Sequence, residues 1–395
     1  MEIIKNHEEK INKLLEFSKG MISGEDGKFL VDKYQKVIDE ITPFDVIELE
    51  DRQIKMGITP AIIKNSIEKI MNIFYTPLEN YNWEKPEEGN PLYYYMKEND
   101  KLKEILEEIK KEAIMKQDIT KLKEYMVKIK EINNHYIRKE NVLFPYLEKL
   151  WTNYTPLKVM WSLHDDIRKM LKNIDKLIEQ NSSFNVEINK TVGEFFFLIY
   201  GMIFKEELVV FPVAMQTVPE KSWQEMMKEE LGFEFSFIEK PIIKFDDEVK
   251  KDNMGNLKEL FFKVETGELN KNQLELILNS LPIDITFIDE NDEVKYFSKP
   301  KDRFFPRTPA IIGRKVQNCH PPESVNIVER ILDSFKSGEK DSEKFWLKMR
   351  NKYIYIQYFA VRDDKNRYIG TLEVGQDITE ISKLEGEKRL VDDTK

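Results

Sequence analysis

Two stretches of the chain carry charge inside an apolar helical pattern in the same order. The first reads His135-Tyr136-Ile137-Arg138-Lys139-Glu140-Asn141-Val142-Leu143-Phe144-Pro145, and the second Met202-Ile203-Phe204-Lys205-Glu206-Glu207-Leu208-Val209-Val210-Phe211-Pro212. A carboxylate on an apolar stripe costs several kcal/mol unless it is neutralised, paired or bound to a cation. Counting in steps of three and four residues places more such groups at one level. The stripe Met160, Leu163, Ile167, Leu171, Ile174 contains His164, and Ile129, Ile132, Tyr136, Leu143 leaves its gap at Glu140. Phe196, Ile199, Ile203, Val210 leaves Glu207 with Glu206 beside it, and Tyr95, Leu102, Leu106 leaves Glu98 or Asn99. His135 flanks the second stripe, about 60° from Ile132 on an ideal helix, while Glu140 lies about 140° from His135. Imidazoles and carboxylates that converge on one core are candidate metal ligands. The alternative is a structural network in which Arg138, Lys139, Lys169 or Lys205 pairs with the carboxylates and His164 is a satisfied core histidine.

The elements that must position these groups are four helices, at about 91–115, 118–143, 156–180 and 188–210. Each copy of the repeat is expected to stop at Phe-Pro, because proline lacks the N–H a continuing helix would use. Short connections favour an antiparallel four-helix bundle, and bundle cores are where metal sites are built from facing helices. Residues 1–80 show helical periodicity with breaks at Ser23–Gly27, Thr42-Pro43 and Thr59-Pro60, and read as a small all-helical domain in which His7 is a surface residue. The bundle domain is placed at 86–228 and a connector at 229–270, where Phe233–Ile238 alternates like a strand and Asp252–Gly255 is a break.

From 271 to 383 the period changes to two. Ile283–Ile288, Val294–Ser298, Lys344–Met349, Tyr353–Val361 and Tyr368–Val374 read as strands, with a helix at Leu274–Leu281 and a charged tail at 384–395. The middle of this region holds Cys319 and His320, followed by Pro321-Pro322. His320 is a candidate helix cap or packing residue, and also a candidate axial haem ligand with Cys319 as its neighbour.

At His135-Tyr136-x-Arg138-Lys139-Glu140, Val159-Met160-Trp161-x-x-His164-Asp165 and Lys205-Glu206-Glu207-x-x-x-Phe211-Pro212 the chain resembles the hemerythrin-like HHE cation-binding bundles. It is similar to the subfamily that begins with a helical domain of unknown function and ends in a PAS domain, to which Gln376-Asp377-Ile378-Thr379 is a matching close. The resemblance implies a multidomain fold: an all-α N-terminal region with the bundle, then an α+β PAS domain. It implies non-haem iron, mono- or dinuclear, held by His135, Glu140, His164, Glu206, Glu207 and Glu98, and a PAS pocket for haem or another small ligand near Cys319 and His320. Such sites use several histidines with bridging carboxylates, whereas this bundle offers His135 and His164. Gly89-Asn90-Pro91 stands where related chains read Gly-His-Pro, Met202 precedes Glu206 where a histidine is usual, and Lys139 follows His135 at the spacing of a carboxylate.

Composition narrows the function classes. With 34% charged residues and a formal net charge of -10, no nucleic-acid or anionic-membrane binding is expected. The longest apolar run, Phe195–Phe204, is about half of what a membrane helix needs, and the N-terminus lacks the apolar core of a signal peptide, so a cytoplasmic protein is expected. The single cysteine excludes an internal disulfide or a zinc site with several thiolates. No phosphate loop, nucleophile elbow, kinase signature or helix-turn-helix is present. The leading expectation is a sensory or regulatory protein that responds to redox state, O2, NO or a small ligand, acts through a partner protein and pairs as a homodimer through its PAS domain. Two alternatives are a metal-free helical scaffold, marked by Glu140 and Glu207 salt-bridged to Lys or Arg, and a non-haem iron enzyme acting on O2, peroxide or NO.

Overall fold

The computed structural model describes residues 2–243, 245, 261–349 and 351–387. The chain divides into two compact units, Met1–Ile243 and Lys244–Lys395. The first begins with α1 (Glu2–Ser23), α2 (Gly27–Asp39), α3 (Pro43–Lys55) and α4 (Pro60–Glu79). Local chemistry sets their starts. Asp26 accepts from the Phe29 N–H, and Thr42 and Asp45 cap α3 reciprocally, with Pro43 in the first turn where no N–H is needed. These helices do not pack as a separate body: one continuous apolar core runs from Ile11 through Phe74 and Tyr136 to Met226.

The bundle follows. α5 (Pro91–Glu108) runs on into a π-helical segment, Ile109–Ile114. α6 (Ile119–Ile129) and α7 (Ile132–Arg138) lead through a π turn, Lys139–Leu143, into α8 (Phe144–Leu150). α9 (Pro156–Gln180) is uninterrupted. α10 (Val186–Lys205) passes through a second π turn of the same kind, Glu206–Val210, into α11 (Phe211–Thr217), and α12 (Glu220–Glu230) closes the set. The expected stop at Phe-Pro is therefore corrected. Pro145 and Pro212 fall in the first turn of α8 and α11, and the wider turn before each absorbs the missing donor, so the helix continues in a shifted register. That shift matters for chemistry, because a fixed 100° step does not carry across either turn.

A second correction concerns Phe233–Ile238, which is not a strand. This irregular segment, with Phe237 at φ 61°, buries Phe235 and Ser236 in the bundle. Its alternation reflects two residues turned into the core and not a ladder.

In the second unit a hairpin, β1 (Phe261–Val264) with β2 (Gly267–Asn270), precedes α13 (Lys271–Ser280), whose start is a capping box of Asn270 and Gln273. Then come β3 (Asp284–Asp289), β4 (Val294–Phe297), α14 (Pro322–Lys336), β5 (Ser342–Met349), β6 (Lys352–Arg362) and β7 (Tyr368–Asp377). The sheet is five-stranded and antiparallel in the order β4-β3-β7-β6-β5. Gly370 is needed where β7 meets β3: at φ +154° its backbone passes so close to the Ile288 carbonyl that a Cβ would collide with it. The break expected at Asp252–Gly255 and the tail beyond residue 387 lie outside the described residues. Among the described residues no helix is long and apolar enough to cross a membrane.

Candidate functional site

The π turns decide what faces the bundle core. Glu206 is completely buried, while Glu207, next to it, turns to the edge and takes Lys103 Nζ at 2.9 and 3.0 Å. Glu140 is swung inward and accepts both Arg168 nitrogens, at 2.9 and 3.0 Å. His164 Nδ1 lies 2.7 Å from the same carboxylate, and its ring is stacked on Tyr136 with centroids 4.1 Å apart. His164 Nε2 is buried without a partner. Burial, with the positive charges of Lys139 and Arg168, holds this imidazole well below its ordinary pKa, so it is neutral.

Glu98 and Asn99 both point inward from α5. Glu98 accepts from Arg138 Nη2 at 2.6 Å and the Ser236 backbone N–H at 2.5 Å, and His135 Nδ1 lies 2.7 Å from it. The other ring nitrogen of His135 is 3.3 Å from Glu206. Glu206 also accepts from Asn99 Nδ2 at 2.8 Å and is in direct contact with the Lys139 ammonium. Burial alone would raise this carboxyl, but Lys139 and His135 outweigh it and hold the pKa at about 2. Arg138, fully buried, also reaches Glu230 at 3.0 Å and lies 3.8 Å from the Phe235 ring centroid. Glu230 takes the Tyr95 hydroxyl at 2.5 Å, and burial pushes its carboxyl up to about 7.

The candidate ligands thus fall into separate groups: Glu98, His135 and Glu206 in one, Glu140 and His164 in another, and Glu207 at the rim. Ser236 and Glu230 escaped the sequence reading. Ser236 lay in a supposed strand and Glu230 on a short polar helix; the only signal for either was its nearness to the bundle's end. The repeat's basic residues all turn inward: Arg138, Lys139 and Lys205 are buried, and Lys205 chelates Glu50 of α3 at 2.7 Å to each oxygen.

These residues do not fit a di-iron centre of the hemerythrin type. Each carboxylate named for it already holds a fixed cation, and an ammonium sits against the fully buried Glu206. Among the described residues no three His, Cys, Asp or Glu side chains converge as a metal's ligands would.

The second unit holds a cavity of about 40 Å³ between the sheet and α14. Ile288, Val294, Val328 and Leu332 form apolar walls, with Arg307, Glu373, Tyr358, Cys319 and His320 also lining it. At roughly 10–15 Å³ per water this is room for a few waters, or for a ligand of a few heavy atoms. Haem is a far larger planar macrocycle and does not fit these walls. Cys319 Sγ lies 3.6 Å from the Lys315 carbonyl. His320 does not cap α14, whose N-terminal turn is made by Pro321 and Pro322. Burial lowers the His320 pKa, leaving a neutral ring. Arg307 Nε is buried without a partner.

A helical bundle with a carboxylate and imidazole core, followed by an antiparallel sheet around a small cavity, defines a two-unit protein, all-α and then α+β. Residues 90–214 match the model of the hemerythrin HHE cation binding domain, and residues 274–379 match that of a PAS domain. Among solved structures, a C-terminal domain from Streptococcus mutans is 32% identical over 32% of this chain and 98% of that one, with a TM-score of 0.31. A sensory box sensor histidine kinase from Vibrio cholerae is 13% identical over 27% of this chain and 89% of that one, with a TM-score of 0.22. The PAS domain of a protein from Colwellia psychrerythraea is 15% identical over 28% and 97%, with a TM-score of 0.23. No curated protein matches the chain.

Proposed function

We propose that this is a sensory protein whose signal is a small ligand bound in the PAS cavity. One observation carries the reading: Arg307 lines a cavity with apolar walls, and its buried Nε donor has no partner among the described residues. A buried donor left unpaired is costly, so a ligand that accepts from it gains both a hydrogen bond and the burial of its own apolar part. The ligand class is a small molecule with an aliphatic body and an anionic end. Short-chain carboxylates and aliphatic amino acids are the natural probes, the latter because Glu373 lies in the same wall. The protein works in the cytoplasm, passes its signal to a partner protein by contact, and pairs through the PAS unit. Trp346, 57% exposed on the edge strand β5, supports that pairing.

Melting of the full chain against this panel and a fractionated metabolite extract tests the reading. A ligand that raises the Tm of the wild type but not of Arg307→Met is expected. A Tm that no fraction moves would overturn it.

Iron in the bundle is a second reading, favoured by the unpaired Nε2 of His164. Against it stands the pairing of Glu140 with Arg168 and of Glu207 with Lys103, which is the mark of the metal-free scaffold. Iron uptake that disappears in His164→Ala would favour the metal reading, and with it chemistry on O2, peroxide or NO. Full stoichiometry in that variant would remove His164 from the site.

A further inference from the structure

The two copies of the repeat align Arg138, Lys139 and Glu140 with Lys205, Glu206 and Glu207. At the middle position the copies carry opposite charges, and these two residues meet each other in the core. We propose that the Lys139 ammonium takes the place of the metal cation in this bundle, so that the helical unit assembles around a cation supplied by its own chain and needs no metal.

Three observations support the substitution. Lys139 stands four residues after His135, about one helical turn on. Its side chain is fully buried, in contact with Glu206, with Nζ 4.8 Å from the centroid of Tyr136. Glu206 touches it directly and His135 lies against the same Glu206 oxygens; burial lowers the pKa of the ammonium, and the charges of Glu206, Glu140 and Glu98 act against that.

The flanking positions complete the balance. Glu98 is met by Arg138, Glu140 by Arg168, Glu206 by Lys139 and Glu207 by Lys103. A divalent ion entering this core would add two positive charges where each carboxylate already has one. It would also have to drive a buried ammonium from its carboxylate, leaving that ammonium without a counter-charge. His164 fits this account as well. Stacked on Tyr136 and held neutral in part by Lys139, it serves as a packed ring with one bond to Glu140.

The test uses the full chain without an affinity tag, stripped with chelator and titrated without oxygen with Co(II) and then Fe(II). The expected result is no stoichiometric uptake, no ligand-field band from Co(II), and the same melting curve with chelator or metal. Lys139→Met should lower the Tm of the helical unit by roughly 10 °C, because it leaves Glu206 buried without its cation. Lys139→Met with Glu206→Gln should recover more than half of that loss. Stoichiometric Co(II) uptake by the wild type that raises its Tm and is lost in Glu206→Gln would overturn the proposal. So would a Lys139→Met protein that melts like the wild type, or a double variant no more stable than the single one. Should Lys139→Met fail to fold, the double variant and the wild-type titration still decide.

Discussion

The bundle core and the PAS cavity are both places where polar groups leave water, and they solve the problem in opposite ways. In the bundle, Glu98, Glu140, Glu206 and Glu207 each meet a lysine or arginine of the chain itself. In the PAS unit, apolar walls leave room and Arg307 keeps an unmet donor. A core held by its own ion pairs is a stability device whose failure is unfolding. A cavity with one unmet group is a binding device whose failure is silence.

The strongest way to break this comparison is to remove a cation from the bundle. Arg138→Met strands Glu98 and Glu230 in a dry core, and a loss of about 3–5 kcal/mol is expected in urea unfolding of the helical unit. If the loss is under about 1 kcal/mol, the core is not the ion-paired device described. The response to pH sharpens the contrast next. Glu206, held at about 2 against an ordinary 4.5, contributes stability that is present above 4.5 and is lost as the pH falls towards 2. By the usual 1.36 kcal/mol per unit this amounts to roughly 3 kcal/mol. Glu230, raised to about 7, works with the opposite sign, and its contribution is present below 4.5 and lost as the pH rises through 7. Urea midpoints from acid to neutral pH should therefore show an acid limb that Glu206→Gln flattens and a loss towards neutrality that Glu230→Gln flattens.

Smaller effects test where the device ends. Ser236→Ala removes the acceptor of the His135 backbone N–H and the donor to the Glu131 carbonyl, at 2.9 and 2.5 Å, and about 1–3 kcal/mol should go with them. Lys103→Met acts at the rim, where the Lys103 side chain is 35% exposed, and under about 1 kcal/mol is expected by the same measurement.

Much of this was legible in the sequence. The stripe with His164 inside it and the inward Glu98 follow from the helical period, and the sheet strands follow from the period of two. What the period could not reveal is a change of period. Glu140, in the gap of its stripe, does face inward as the period places it, but the π turn at Glu206–Val210 chooses Glu206 over Glu207 for the core. That choice cannot be read from a helical wheel with a fixed 100° step. The basic residues were visible as possible partners for the carboxylates, but their burial was not, since lysine and arginine are almost never fully buried unless paired. Ser236 was hidden by its neighbours, whose alternation imitates a strand.

The segment around Ser236 has a mechanical side as well. It is the stretch by which the chain leaves the helical unit, and it is tied to Glu98 through the Ser236 N–H and to α7 through the Ser236 hydroxyl. Glu98, which takes the Ser236 N–H, is the same carboxylate that holds Arg138 and His135. The covalent path between the two units therefore starts inside the charged core.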